Sequence, residues 1–568
     1  MGGLISLLIT ASLTALIPWL LKKGVDAISE DNLSKVYLFS ASIIVAALFQ
    51  GGARILSRTI IYSIGRKTEY HLRSDFFRHL QRLSPSFFDN MNTGDIISRS
   101  TNDISSVRML MGAGFLQVAN STIIYLTIIP MMLFLDPRLT FYALIPYPLL
   151  IIISRFLTKA LYHRSHDVQE TFGEMSTKVQ ENLSGIAAVK SFNIEKSECR
   201  AFDKINKSYL NKTLHLAKLR AIMFTLMTGL SSLASLIILW KGGVAVITGR
   251  IGLGDFVAFI GYTTLLIWPT VGLGWIITVI QRGFAALDRV NYIMDIELSI
   301  RDKSDSQADR IRLNGKIEFK KLKFSYKNRL DNTESSPILK GINLSIDAGD
   351  RVAIVGPTGA GKSSLLNLIP RLYEIEEGSL FFDDRDILDI PLNQLRTQIG
   401  YVPQDAHLFS ETIKENILFG RYVDDAAFME AAETSSLLQD VDSFPDKFDT
   451  LLGEKGITLS GGQRQRTALA RALVGKPPIL ILDDSFSNLD THTEENILTA
   501  LNEELGSETT CIIVSHRVST IRNCNRIAFM KEGEIIETGS HDELLTKGGE
   551  YADFFNRQKL EEELEEIA

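Results

Sequence analysis

The chain of 568 residues carries 60 Lys and Arg against 67 Asp and Glu, with 40 Gly, 15 Pro, three Cys, 45% apolar and 22% charged residues. That length accommodates several folding units, and that composition excludes a disordered chain, a collagen-like repeat and a disulfide-stapled scaffold. The net charge of −7 conceals a division: residues 1–300 hold 29 basic against 20 acidic side chains, and 301–568 hold 31 against 47, so the two parts face different surroundings. Cys199, Cys511 and Cys524 are widely spaced, match no metal or redox spacing, and read as reduced thiols.

Apolar runs near 2–21, 36–53, 111–135, 139–158, 221–247 and 254–281 each supply the roughly 20 helical residues that a hydrocarbon core of about 30 Å requires. Six spans are predicted, because a soluble protein would need a very large core to bury six such runs. The first run has no basic residue before it, which argues for a retained span over a cleaved signal. Lys and Arg collect in loops left in the cytoplasm. The connection between spans two and three carries Arg66, Lys67, Arg73, Arg78, Arg82, Arg99 and Arg108, and that between spans four and five has twelve basic residues from Arg155 to Arg220. Both are expected on the cytoplasmic side, with the short turns at Asp136–Arg138 and Thr248–Gly254 outside; Lys22, Lys23 and Lys35 run against the rule.

The segment Arg155–Arg220 keeps a helical period without proline, which predicts two antiparallel helices of about 30 residues reaching roughly 45 Å into the cytoplasm. Before span three, Pro85, Phe87, Phe88, Asn92, Thr93, Gly94 and Asp95 mark a break followed by a capped helix start. Arg54 and Arg58 fall just past the apolar part of span two and read as snorkelling side chains or as lining of a polar cavity. Tyr262, Trp268 and Trp275 in span six fit a lipid-facing belt.

A polar stretch, 297–315, reads as a linker to a strand-rich domain over 316–568, giving a fold class of six membrane helices followed by an α/β P-loop domain. Arg351–Val355 is a β-prone run leading into Gly356, Pro357, Thr358, Gly359, Ala360, Gly361, Lys362 and Ser363, with a helical Ser364–Leu368 after it: a P-loop in strand-loop-helix context. Glycines let backbone N–H groups wrap phosphates and the helix start adds positive potential. Lys362 suits the β- and γ-phosphates of ATP, and the Ser363 hydroxyl suits Mg²⁺. A second apolar strand, Ile479–Leu482, ends in Asp483, placed for the same metal. The acidic end, LEEELEEIA, reads as a solvated helix terminus.

Between these motifs stands Leu459-Ser460-Gly461-Gly462-Gln463-Arg464-Gln465-Arg466, and here the chain resembles the ATP-binding cassette family. The resemblance implies roles for Tyr326 in FSY (stacking on adenine), Ser364 beside the phosphates, Gln404 in YVPQD (the Q-loop, touching metal and water), Asp490 in SNLD (the D-loop) and His516 in VSHR (the switch histidine). With six spans before one cassette, the architecture is similar to a half-transporter of the multidrug and lipid exporter branch. Such proteins dimerise, so Ser460, Gly461, Gly462 and Gln463 would contact nucleotide held by the partner. The resemblance also makes the turns at Phe87–Gly94 and Ser191–Glu195 coupling helices, and matches Gly453–Gly456 to a segment that crosses the interface. It implies a subunit of a multi-pass membrane exporter, in a bacterial inner membrane, moving amphipathic small molecules or lipids and binding no nucleic acid.

Two departures stand out. Relatives usually carry Glu after the metal-binding Asp as the base that orients water, whereas this chain has Asp484. In the family this marks the weakly hydrolytic site of a heterodimer, and the intact signature fits that division of labour. The alternatives are a homodimer with two active sites and an ATP-gated channel or regulator. Relatives also carry a cytoplasmic segment before span one, where here Met1 adjoins the span.

Overall fold

The structure is a computed structural model that describes residues 1–567 apart from 304–310, 329–332, 335, 454–458 and 506–507. It divides into two compact units, Met1–Leu80 with Gly94–Ile296, and Gln81–Thr93 with Glu297–Ala568.

The first unit is helical: α1 (Gly2–Ser29) and α2 (Leu33–Leu80) are followed, after a short helix α3 (Pro85–Asn90) that belongs to the other unit, by α4 (Thr93–Leu135), α5 (Pro137–Ser184), α6 (Ile186–Ser191), α7 (Glu195–Ile247) and α8 (Leu253–Met294). Six of these, all but α3 and α6, are long and apolar enough to cross a membrane. The five longest have 42 to 53 residues, about 63 to 80 Å at 1.5 Å per residue, so each extends well past a core of about 30 Å. The expected stalks are thus continuations of the spans: α5 runs without interruption from Pro146 to Ser184, and α7 takes the chain back after the turn at Phe192–Ile194. π-Helical turns at Arg99–Asp103 and Leu110–Gly114 interrupt α4.

The lysines that oppose the charge rule are mostly answered: Lys22 pairs with Asp255 at 2.5 Å, Lys35 with Glu30 at 2.9 Å, and Lys23 lies over the Trp19 ring. The two short turns meet, with Arg250 donating to Asp136 at 2.9 Å. Trp268 is 74% exposed, as a belt residue should be, but Tyr262 is not: it is buried, its hydroxyl donating to the Ala15 carbonyl at 3.1 Å. Its being an aromatic in span six placed it with the tryptophans, whereas it faces α1. Arg54 and Arg58 are exposed.

The second unit is built on two sheets. An antiparallel one has the order β4 (Leu339–Ile346), β1 (Ile317–Phe324), β6 (Leu380–Phe382), β7 (Arg385–Asp386), and a small pair joins β2 (Lys327–Asn328) to β3 (Thr333–Glu334). The other has six strands, in the order β12 (Glu534–Gly539), β11 (Arg526–Lys531), β5 (Arg351–Val355), β10 (Thr510–Val514), β9 (Ile479–Asp483), β8 (Ile399–Val402), parallel except for β12 at the edge. β9 and β10 are buried at every position, which explains their unbroken apolar sequence, since a parallel sheet is covered on both faces. Cys511 and Cys524 are buried free thiols, and burial pushes each up to about 12, which leaves them inert.

Helix α3 packs in this unit. Pro85 opens it, Phe87 is buried, Asp89 accepts from the Tyr373 hydroxyl at 3.0 Å, and Ser299 donates to Ser84 at 2.9 Å. Of the segment Gly453–Gly456, residues 454–456 lie outside the described residues.

Candidate active site

In a parallel sheet the carboxyl ends of the strands open onto one edge, where ligands of α/β folds collect. Four motifs follow such ends directly: the P-loop after β5, Gln404 after β8, Asp483 and Asp484 at the end of β9, and His516 after β10. Register aligns them, with Val514 beside both Asp483 and Ile354, and Val402 beside Leu482. They therefore share a cleft of about 360 Å³ lined by Thr358, Gly359, Lys362, Ser363, Gln404, Asp483, Asp484 and His516 among others.

The P-loop turns through left-handed backbone at Gly359 (φ +82°) and Gly361 (φ +99°). A side chain at Gly359 would project into open space, so the loop offers bare backbone to whatever enters. Lys362 opens helix α9 (Lys362–Leu368) and is buried, its Nζ donating to the carbonyls of Gly356 at 2.7 Å and Pro357 at 3.0 Å. Burial pushes this ammonium below its usual range, against the pull of Asp483 and Asp484. Asp483 is buried too, and burial raises its carboxyl despite the hydrogen bond from Ser363 Oγ at 3.2 Å. Both ions have lost solvent, so each gains from a charged ligand.

Asp484 adopts left-handed backbone, φ +48°, with its N–H bonded to the Val514 carbonyl at 2.9 Å. Aspartate tolerates that region better than most residues. Gln404 Nε2 reaches its Oδ2 at 3.4 Å. Burial holds His516 below the ordinary histidine value, with Lys362 adding to the effect and Asp484 opposing it. The ring is therefore neutral at pH 7. Ser363 and Asp483 are hard oxygen donors 3.2 Å apart, with the Gln404 amide lining the same cleft, a set that fits Mg²⁺.

The remaining candidates lie elsewhere. Tyr326 is outside the cleft lining, packed edge-on against Phe324 and Tyr373, its hydroxyl 3.1 Å from Ser364 Oγ. Ser460 caps α10 (Gly461–Leu473), accepting from the Gln463 N–H at 3.2 Å while Gln463 accepts from the Ser460 N–H at 3.0 Å. Side chains at Gly461 and Gly462 would press on Asn488, which brings signature and D-loop together. Asp490 caps helix α11 (Thr491–Leu505) by accepting from the Thr493 N–H at 2.9 Å.

Residues 1–270 match the family model of the ABC transporter transmembrane region and 339–487 that of the ABC transporter. Proteins of Staphylococcus aureus strains NCTC 8325 and COL, whose names describe multidrug export ATP-binding/permease proteins, are each 34% identical over 554 residues, 96% of this chain and 95% of theirs. The chain belongs to the ABC transporter family. A solved structure of a bacterial Atm1-family ABC exporter with ATP bound is 27% identical and superposes with a TM-score of 0.79 over 98% of both chains. The protein is an ABC exporter, a multi-pass membrane protein and a transport ATPase.

In this exporter some residues act on the site without lining it. Glu494 is fully buried and accepts from Arg517 at 2.5 Å, from Ser519 at 2.8 Å and from Thr520. Arg517, next to His516, also donates to the carbonyls of Leu489 at 2.7 Å and Ser487 at 3.2 Å. Gln465 bonds both Ser487 and Asn488 at 3.2 Å, and Asp440 holds Arg466 at 2.7 Å. Signature, D-loop and switch thus form one bonded network. Sequence reading quoted Gln465 and Arg517 within motifs but gave them no task, and passed over Glu494 and Asp440. The available signal was an acid four residues past Asp490 on a helix face that must be covered.

Proposed function

We propose that the chain is one subunit of an exporter that moves amphipathic small molecules or lipids out of the cytoplasm or inner leaflet of a bacterial cell membrane, pairing with a second half-transporter. One observation carries this: Lys362, Ser363, Asp483, Asp484 and His516 meet in one cleft of a chain that also holds six membrane-length helices. The basic residues of its long connections support a cytoplasmic cassette.

On nucleotide binding, Lys362 exchanges the carbonyls of Gly356 and Pro357 for β- and γ-phosphate oxygens, and the P-loop N–H groups complete the cradle. Ser363, Asp483 and Gln404 would hold Mg²⁺, which when bound would neutralise charge on those oxygens. His516, neutral, accepts or donates a hydrogen bond at the γ-phosphate end, and Tyr326 offers a ring to adenine. Asp484 is left to orient the water, one methylene short of the usual base. Since about 1 Å of misplacement costs about a hundredfold, this site holds nucleotide more than it hydrolyses it. Ser460, Gly461, Gly462 and Gln463, outside the chain's own cleft and at a helix N-terminus, complete the partner's site. Closure of the paired cassettes, passed through the segments at Phe87–Gly94 and Ser191–Glu195, switches the spans from inward to outward opening.

A homodimer with two equal sites is the second reading, favoured by Gln404 reaching Asp484 and by His516 standing in the cleft. ATPase of the purified chain alone, and mixed with a half-transporter bearing Glu at the corresponding position, separates the two. Slow turnover alone and brisk turnover when mixed is expected; brisk turnover by the lone chain refutes the asymmetric assignment.

A further inference from the structure

Within the membrane unit, α5 and α8 enclose a cavity of about 760 Å³. From α5, Arg155, Lys159, Tyr162 and His163 enter it at helical spacing, so one face of the helix presents them together. From α8 come Arg282 and Arg289, a turn or two apart on the facing helix. Four fixed cations thus share one space, and no carboxylate lines it.

Elsewhere in this unit several arginines have acidic partners, though Arg54, Arg58, Arg138, Arg200 and Arg220 are in no ion pair among the described residues. Arg66, Arg73 and Arg108 converge on Glu69, Arg99 pairs with Asp95, and Arg164 with Asp167. In the cavity only Arg289 does, through Asp103. Among the described residues Arg155, Lys159 and Arg282 enter no ion pair with the chain's own carboxylates. Arg282 is instead set by the Tyr162 ring, its guanidinium 4.7 Å from the centroid, which leaves its N–H fork available. Close helix contact fixes the geometry, because a side chain at Gly274 would sit 2.8 Å from Thr158 Oγ1. Like charges gathered against low-dielectric walls repel one another and concentrate field on an entering anion. Ile277 and Ala285 add apolar wall to the same space.

We propose that this cavity binds an amphiphile with an anionic, phosphate-like head, seated between Arg155, Lys159 and Arg282, with its chain against the apolar wall. The proposal rests on the exporter reading and narrows its substrate class. Arginine favours phosphate because its fork gives two parallel charged hydrogen bonds. The cations stand where the fourth and sixth apolar runs end, so the head could come from a membrane lipid or from a water-soluble organic phosphate.

The test uses the full chain in phosphatidylcholine nanodiscs and two fluorescent dodecyl probes, one ending in phosphate and one in trimethylammonium. Saturable binding of the phosphate probe, about tenfold or more tighter than the cationic one, is expected from a few charged hydrogen bonds. The triple variant R155Q/K159Q/R282Q should lose about tenfold of that affinity, R155K/R282K should retain most of it, and R164Q, whose arginine lies outside the cavity, should retain all of it. Competition by phosphatidylglycerol added to the discs identifies a lipid source; competition by butyl phosphate identifies a soluble one. Equal binding of both probes, or equal weakening by R164Q and the triple variant, overturns the proposal in favour of plain surface attraction. Nucleotide binding by the same discs reports folding of the variants. Probe selectivity lost with nucleotide binding intact sinks this inference alone, whereas absent nucleotide binding with the probe still bound sinks the exporter reading alone.

Discussion

In the cassette cleft one ammonium, Lys362, faces two carboxylates, Asp483 and Asp484, within about 360 Å³; in the membrane unit Arg155, Lys159 and Arg282 share about 760 Å³ with no carboxylate in its lining. The first set is braced from within the chain, by the Gly356 and Pro357 carbonyls, by Ser363 and by Gln404. In the second, Arg282 lies against the Tyr162 ring, and Arg155, Lys159 and Arg282 enter no ion pair among the described residues. Under the proposed cargo reading, groups that serve one reaction with one ligand are fixed by mutual hydrogen bonds, while cations that take up and release cargo keep their charge uncommitted.

Four experiments bear on that contrast, beginning with the largest effect. Lys362→Ala removes the only fixed cation among the named cleft residues and should lower the lone chain's slow ATP turnover by about a hundredfold or more, as loss of a transition-state donor does; unchanged turnover of the lone chain in a phosphate-release assay would show that the cleft is not its reacting site. Glu494→Gln leaves Arg517 facing a neutral partner and should destabilise the cassette by about 3 kcal/mol, read as a lower midpoint in denaturant, with Arg517→Lys milder. Asp484→Glu restores the missing methylene and should raise turnover of the lone chain about tenfold or more; no gain would favour two equal sites and weaken the asymmetric reading. The smallest effect is a pH dependence. His516 binds its proton less readily folded than unfolded, so the unfolded state holds more protons in the window below the ordinary value near 6.5. Stability from this group is complete above that value and falls as the pH drops through it; a melting temperature flat from pH 7.5 to 5.5, with His516→Gln unchanged, would contradict it.

Much of the cassette was legible because its chemistry sits next to strand ends in the chain itself: a motif after an apolar run lands at the sheet edge whatever lies between. The spans were legible through length and hydropathy. Contacts that join distant segments were not. Arg517 and Glu494 are 23 residues apart and meet only once α11 lies beside the turn after β10. Arg155 was counted among the loop charges and Arg282 was given no role, and nothing in either run says that α5 and α8 adjoin. Tyr262 was misread because an aromatic in a span looks alike whether it faces lipid or α1.

Thirteen residues, Gln81–Thr93, fold with the cassette although more than 200 residues separate them from the rest of it. A fragment beginning near Glu297 would therefore be an amputation: Tyr373 would lose Asp89 and Ser299 would lose Ser84. Anyone seeking a soluble version for calorimetry or crystallisation should supply that short stretch as a peptide, or graft it through a linker, and compare melting with and without it.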